Sequence, residues 1–163
     1  MELKNILPIN GPSVEEVKKY IDKYNDELIV IKCGGSVLLD PNLFDIFIKD
    51  VAVLKKIGLS PIIVHGGGPQ IGSLLEQLGI ESKFVDGMRV TDSRTMDVVQ
   101  MVLGGTVNQS IVNLINQSGG KAVGLTGKDA MLIRARKMLI ERGGPEVQTP
   151  EIVDIGHVGE VPV

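Results

Sequence analysis

Two short apolar runs, Leu28-Ile29-Val30-Ile31 and Pro61-Ile62-Ile63-Val64, each lead straight into a glycine-rich turn. The turns are Lys32-Cys33-Gly34-Gly35-Ser36 and His65-Gly66-Gly67-Gly68. A continuous β-branched run bounded by turn residues suits a strand buried on both faces of a parallel sheet. Parallel neighbours need a crossover, and helical spacing between the runs supplies one: from Asn42 to Ile57, Phe44, Phe47, Ile48, Val51 and Leu54 form one face. Gly58 stands where a left-handed C-terminal cap belongs. After the second turn, Pro69 at a helix start leads Ile71 to Leu78, so the pattern is β-α-β-α by residue 78.

The flanking segments fit this frame. Ser13-Val14-Glu15-Glu16 has the form of a capping box and predicts a helix to about Asn25. Lys83 to Thr91, centred on Asp86-Gly87, predicts a β-hairpin. Asp92 or Ser93 caps a long helix to about Gln117, in which Gly104-Gly105 predicts a kink or a close approach. Ala122 to Thr126 reads as a third core strand, and ribbon-like segments follow near Met131-Arg134 and Ile152-Ile155. Gly143-Gly144-Pro145 reads as a loop. The expected fold is α/β, an open and mostly parallel sheet with helices on both faces, with β-hairpins and an N-terminal helix.

Composition narrows the function. The chain has 163 residues, which suggests one domain, and 43 % of them are hydrophobic, which predicts a packed core. With 17 Lys and Arg against 20 Asp and Glu, the net charge of −3 speaks against phosphate-backbone binding to nucleic acid. Cys33 is the one cysteine and only His65 and His157 join it, so neither a disulfide nor a structural zinc site is expected. Any metal would be a hard cation held largely by phosphate oxygens. No signal segment or uninterrupted apolar run of spanning length is present, and the expected location is the cytoplasm. Glycine is the outlier at 20 residues, against a usual share of about 7 %.

In open α/β sheets ligands collect beyond the carboxyl ends of the strands, where backbone amides point. Bare backbone at Gly34, Gly35, Gly67 and Gly68 lets an anion approach N–H groups, and Lys32 adds a compact positive charge. One such turn is ordinary strand-to-helix punctuation; two, with the Lys, point to phosphoryl transfer. The common nucleotide fingerprints do not fit. Ile71 stands where the third glycine of the dinucleotide motif belongs, while Gly127-Lys128 has Ala122 before it and Asp129 after it where a P-loop needs Gly and Ser or Thr.

The motifs Ile31-Lys32-Cys33-Gly34-Gly35-Ser36, Val64-His65-Gly66-Gly67-Gly68-Pro69 and Gly87-Met88-Arg89-Val90-Thr91 occur in the order and spacing of the acetylglutamate kinases. The chain resembles the N-terminal half of these members of the amino acid kinase family, from about Leu28 to Val163, including Val123 to Asp129 and Gly156-His157-Val158-Gly159. The resemblance implies an αβα sandwich and transfer of the ATP γ-phosphate, with Mg²⁺, to the side-chain carboxylate of N-acetyl-L-glutamate in arginine biosynthesis. It implies that Lys32 is catalytic and stabilises the transferring phosphoryl group, while Gly34 and Gly35 bind ATP phosphate. Gly67 and Gly68 would hold the acceptor, and Arg89 would fork onto its α-carboxylate. Without the Gly-x-Arg-Val-Thr context the favoured reading of Arg89 is a solvated hairpin residue. A carboxylate acceptor has no proton to remove, so His65 is expected to be structural. Lys128 and Asp129 are expected in a turn, and Cys33 in the core.

The expected organisation is an extension helix over residues 1–26 and an acceptor-binding lobe over 27–163. The lobe is expected to be cut before an ATP-binding C-terminal lobe and to have little activity alone. The resemblance further implies a homodimer through the Ser93 to Gln117 helix and a hexamer through the N-terminal helix. Val14, Val17, Tyr20, Ile21 and Tyr24 give that helix an apolar stripe that suits either assembly or its own sheet. Two alternatives stay open: a non-catalytic module that senses acetylglutamate or arginine, and an amino acid kinase with a different acceptor. Lys32 discriminates, because phosphoryl transfer needs it and simple acceptor binding does not.

Overall fold

The computed structural model describes residues 2–142 and 151–162, so Gly143-Gly144-Pro145 lies outside the described residues. In chain order the elements are α1 (Val14–Tyr24), β1 (Leu28–Cys33), α2 (Gly35–Leu39), α3 (Pro41–Lys56), β2 (Ser60–His65) and α4 (Gly68–Gln77). They continue with β3 (Phe84–Val85), β4 (Met88–Arg89), α5 (Ser93–Gln100), α6 (Asn108–Gln117), β5 (Arg136–Arg142) and β6 (Glu151–Glu160). A π-helical segment, Met101–Val107, joins α5 to α6. Two compact units make up the chain, Met1–Gly67 with Val107–Gly124, and Gly68–Thr106 with Leu125–Val163.

The first unit is built on β1 and β2, which pair in parallel in the register Leu28↔Ser60 to Cys33↔His65. The crossover between them is α3, flanked by Asp40, whose carboxylate accepts from the amides of Asn42 and Leu43. At its other end Gly58 takes φ 101°, the left-handed cap that only glycine adopts without strain. Ser13 caps α1 as expected, its Oγ accepting from the Glu16 amide. The core of this unit includes Val17, Cys33, Ile48, Val51, Ala52, Ile111 and Ile115, with α3 packed on α6.

Both strands were expected to be buried on both faces, and this is corrected. Leu28, Val30, Ile62 and Val64 are exposed, and the alternate residues turn inward. With the period of two, one face packs on helices and the other stays open. The third core strand expected over Ala122 to Thr126 does not form either, and Val123 and Leu125 are exposed. A β-branched run becomes a strand only where a neighbour takes its amides and carbonyls. Here the Asn116 side chain does so in part, accepting from the Ala122 amide and donating to the Ala122 carbonyl.

The second unit packs α4 on α5 and carries two antiparallel ribbons, β3–β4 and β5–β6. Asp86 and Gly87 join β3 to β4 with φ 50° and 79°, the doubly left-handed two-residue turn that Asp-Gly favours. Asp92 caps α5, accepting from the Thr95 amide at 2.7 Å. The ribbon expected at Met131-Arg134 begins later: Asp129–Met131 is a single 3₁₀ turn and β5 starts at Arg136. β6 meets the loop after β4 through a parallel bridge, Thr91↔Gly156, where the Thr91 amide donates to Ile155 and its carbonyl accepts from His157. Leu75 and Ile155 are fully enclosed, each worth about 1.5–3 kcal/mol in transfer from water.

Ser93–Gln117 is a helical stretch long and apolar enough by length and composition to cross a membrane. Its buried residues are Thr95, Val98, Val102, Val107, Asn108, Ile111 and Ile115, and α5 and α6 pack on α4 and α3 within their own units. The kink or close approach expected at Gly104-Gly105 takes the form of the π segment, with Gly104 against the Thr126 methyl, 3.3 Å from where a Cβ would stand.

Candidate functional site

In the first unit, β1 delivers Lys32 to the open face of the sheet, next to Val64 in register, while Cys33 turns inward and is 1 % exposed. Burial raises the Cys33 thiol pKa, which fits a core residue and opposes a thiolate role. Lys32 is exposed and forms no ion pair among the described residues. Gly34 follows in extended conformation, φ −78° and ψ 168°, and caps α2 without any side-chain partner. A Cβ on Gly34 would meet nothing within 4 Å. Neither backbone strain nor packing therefore demands glycine there, as expected if something outside the chain needs the space.

The β2 turn is tied to the β1 turn, the Gly66 amide donating to the Cys33 carbonyl at 3.4 Å. His65 Nδ1 lies 3.0 Å from the Gly66 carbonyl oxygen. A carbonyl only accepts, so the Nδ1 proton donates and the ring braces the turn. Gly67 is buried at the end of this unit.

In the second unit Gly68 opens α4, and it too has open space where a Cβ would stand. The hairpin brings Arg89 to it: Nη2 donates to the Gly68 carbonyl at 3.5 Å, a long and weak bond. Nη1 donates to the Ser82 hydroxyl, and the guanidinium carbon lies over the Phe84 ring, 4.6 Å from its centroid. Gly68, Ser82, Phe84 and Arg89 line an open cavity of about 580 Å³ together with Glu76 and Glu81. Lys83 stands 3.4 Å from Glu81, whereas Arg89 has no ion pair among the described residues. Arg89 is thus a half-buried cation held by a hydroxyl, a carbonyl and a ring face, all neutral. Three of its five N–H donors remain for a ligand.

Sequence reasoning missed Ser82 and Phe84. The signal was present, because a two-residue Asp86-Gly87 turn fixes the register that sets Phe84 opposite Arg89. Lys128 and Asp129, left out of the site, are occupied structurally. Asp129 accepts from the Thr126 amide and hydroxyl, and Lys128 donates to Gln100. Those Thr126 bonds, the backbone one foremost, hold the Asp129 carboxyl below its usual range. No group of three or more His, Cys, Asp or Glu that could hold a metal occurs among the described residues.

The family model for the amino acid kinase family matches residues 27–163. Relatives named acetylglutamate kinase include one from Chromohalobacter salexigens, 57 % identical over 91 % of this chain and 48 % of its own length. Another, from Saccharophagus degradans, is 59 % identical over 90 % of this chain and 49 % of its own. Among solved structures, N-acetylglutamate synthase from Neisseria gonorrhoeae, complexed with coenzyme A and N-acetyl-glutamate, superposes with a TM-score of 0.64. It covers 89 % of this chain and 30 % of that one at 19 % identity, a likeness of fold. The chain spans about half the length of the curated relatives it matches.

Proposed function

The chain belongs to the amino acid kinase family, and on that premise we propose that it is the acceptor-binding part of an ATP-dependent acetylglutamate kinase. The reaction is transfer of the γ-phosphoryl group to the side-chain carboxylate of N-acetyl-L-glutamate, giving an acyl phosphate and ADP. The observation that carries this is the Arg89 guanidinium, held beside Gly68 by neutral groups and lacking a carboxylate of its own among the described residues.

The chemistry asks for little beyond what these turns offer. The attacking carboxylate is already ionised at neutral pH, so no base is required and His65 stays in its bracing role. Catalysis is then positioning and neutralisation of charge spread over the transferring oxygens. Lys32 supplies a mobile ammonium for that charge, and the amides of Gly34 and Gly35 take ATP phosphate oxygens. Gly67 and Gly68 offer backbone to the acceptor, and Arg89 pairs with its α-carboxylate through parallel N–H bonds. Mg²⁺ would be carried in on the ATP phosphates, whose oxygens are the hard ligands it prefers.

The same proposal has the protein work in the cytoplasm as a step of arginine biosynthesis, as a homodimer through the Ser93–Gln117 region. Residues 1–26 form the extension that joins dimers into a hexamer, and residues 27–163 the acceptor-binding lobe. In α1, Val17 is buried while Tyr20 is 52 % exposed and stacked on Tyr24 at 6.3 Å between centroids, leaving an aromatic surface for contact.

Hydroxylamine trapping tests the activity. The chain extended by the remaining half of the Saccharophagus degradans relative should yield hydroxamate from ATP and N-acetyl-L-glutamate and none from L-glutamate, and Lys32→Ala should lower the rate at least a hundredfold. Hydroxamate unaffected by Lys32→Ala, or formed equally from L-glutamate, would overturn it. Gel filtration of the same protein without residues 1–26 tests the assembly; an unchanged hexamer removes the role of α1.

A further inference from the structure

Arg89 carries a long side chain, and a guanidinium that must be ordered at the moment of binding gives up affinity to the entropy lost. In this chain the ordering is already done. The Phe84 ring lies under the guanidinium, Ser82 Oγ accepts a hydrogen bond from Nη1, and the Gly68 carbonyl accepts one from Nη2 at 3.5 Å. None of the three restraints is an anion. A carboxylate partner would cancel the charge that an incoming ligand needs, whereas a ring face and a hydroxyl fix the fork and leave its charge available. Hairpin register makes the arrangement specific, because Phe84 is the direct cross-strand partner of Arg89.

We propose that Phe84 and Ser82 are positioning residues for acceptor binding, holding the Arg89 guanidinium against the Gly68 turn so that its free N–H groups meet the acceptor's α-carboxylate. This rests on the assignment of Arg89 as the carboxylate fork. Phe84 is 57 % exposed, so little of its ring is buried, and one face of it carries the Arg89 guanidinium. The Glu76 and Glu81 carboxylates on the same cavity wall sharpen the requirement, since an acidic ligand enters only where the Arg89 charge is presented toward it.

The test is a double-mutant cycle on the chain, read by calorimetric titration with N-acetyl-L-glutamate and with its α-amide, in which the α-carboxylate is neutral. Phe84→Leu and Ser82→Ala should each weaken N-acetyl-L-glutamate by roughly three- to tenfold, a range set by single cation–π and hydrogen-bond contacts. Binding of the amide should be unchanged, and Phe84→Tyr and Ser82→Thr should restore the wild-type preference. In an Arg89→Ala background the same substitutions should have no further effect. Equal losses for acid and amide, or equal losses with and without Arg89, would reduce Phe84 and Ser82 to structural residues and overturn the proposal. If instead Arg89→Ala binds like wild type, or the wild-type chain takes up no acceptor, the assignment of Arg89 itself falls and the proposal with it. Should Phe84→Leu unfold the chain, seen as lost far-ultraviolet dichroism, the Ser82→Ala and Ser82→Thr pair carries the same comparison.

Discussion

The guanidinium of Arg89 reaches the carbonyl oxygen of Gly68 across 21 residues of sequence, joining the β3–β4 hairpin to the first residue of α4. Both residues belong to motifs read from the sequence as acceptor-binding, and the fold places them in one cavity wall. Replacing Arg89 by Ala removes the charge and the fork. A charge-assisted hydrogen bond is worth about 1.5–3 kcal/mol, so N-acetyl-L-glutamate affinity should fall roughly 10- to 100-fold. ATP affinity should change less than twofold, and Arg89→Lys should recover only part of the loss. Equal losses for both ligands, measured by titration, would refute the role.

Gly34 and Gly68 separate function from folding. Each has room for a methyl group and neither has a left-handed φ, so Gly34→Ala and Gly68→Ala should change the denaturation midpoint only slightly, the small loss of an N-cap glycine offsetting the gain from a stiffer unfolded chain at Gly34. Ligand affinity should nonetheless fall, for ATP in the first variant and for the acceptor in the second, because the methyl group occupies the space an anion needs to reach the amides. A stability loss without a binding loss would return both glycines to ordinary turn residues.

Gly156 is the opposite case. It sits at φ 79°, and a Cβ there would stand 2.1 Å from the Thr91 carbonyl oxygen, which already accepts from the His157 amide. Gly156→Ala must part the Thr91–Gly156 bridge, with a cost of about 2–4 kcal/mol from lost hydrogen bonds and a strained left-handed residue. Gly79→Ala offers the control, since Gly79 has φ 65° but open space around it, and should cost only about 1 kcal/mol. Urea unfolding of the two variants decides; equal costs would contradict the steric account.

Three exposed carboxylates make the fold acid-sensitive. Asp92 is held below its usual pKa by the backbone amide of Thr95, Asp129 by that of Thr126, and Asp154 by the Lys137 ammonium and the Gly156 amide. With folded values under the unfolded one of about 3.9, the unfolded chain binds more protons in acid. The stability these groups confer is therefore present above the unfolded value and lost as the pH falls through the folded ones. Urea midpoints should hold from pH 7 to 5 and decline below 4. Asp92→Asn keeps the cap yet cannot titrate, so it should flatten that decline. A decline of the same slope in Asp92→Asn, Asp129→Asn and Asp154→Asn would assign it elsewhere.

Local chemistry was legible where one residue sets the backbone. Ser13, Gly58, Asp86-Gly87 and Asp92 mark their caps and turn in the sequence and perform them in the structure. What depends on a partner was not. Val123 and Leu125 have strand-forming side chains but no strand to pair with, and Leu28, Val30, Ile62 and Val64 face outward although their runs read as doubly buried. Side-chain type fixes a preference for pleated backbone, whereas burial depends on which elements arrive on each face. The candidate site divides in the same way. Gly68 and Arg89 were singled out through their motifs, while Phe84 enters through the hairpin register and Ser82 through its hydrogen bond to Arg89.

Calorimetric titration of the folded chain with N-acetyl-L-glutamate, beside L-glutamate, tests the central claim most directly. Saturable heat for the acetylated compound and none for L-glutamate is the predicted result, because the turn proposed to hold the acceptor and the Arg89 fork proposed for its α-carboxylate both lie in this chain. Equal heat from both compounds, or no heat from either in a chain shown to be folded, would contradict it.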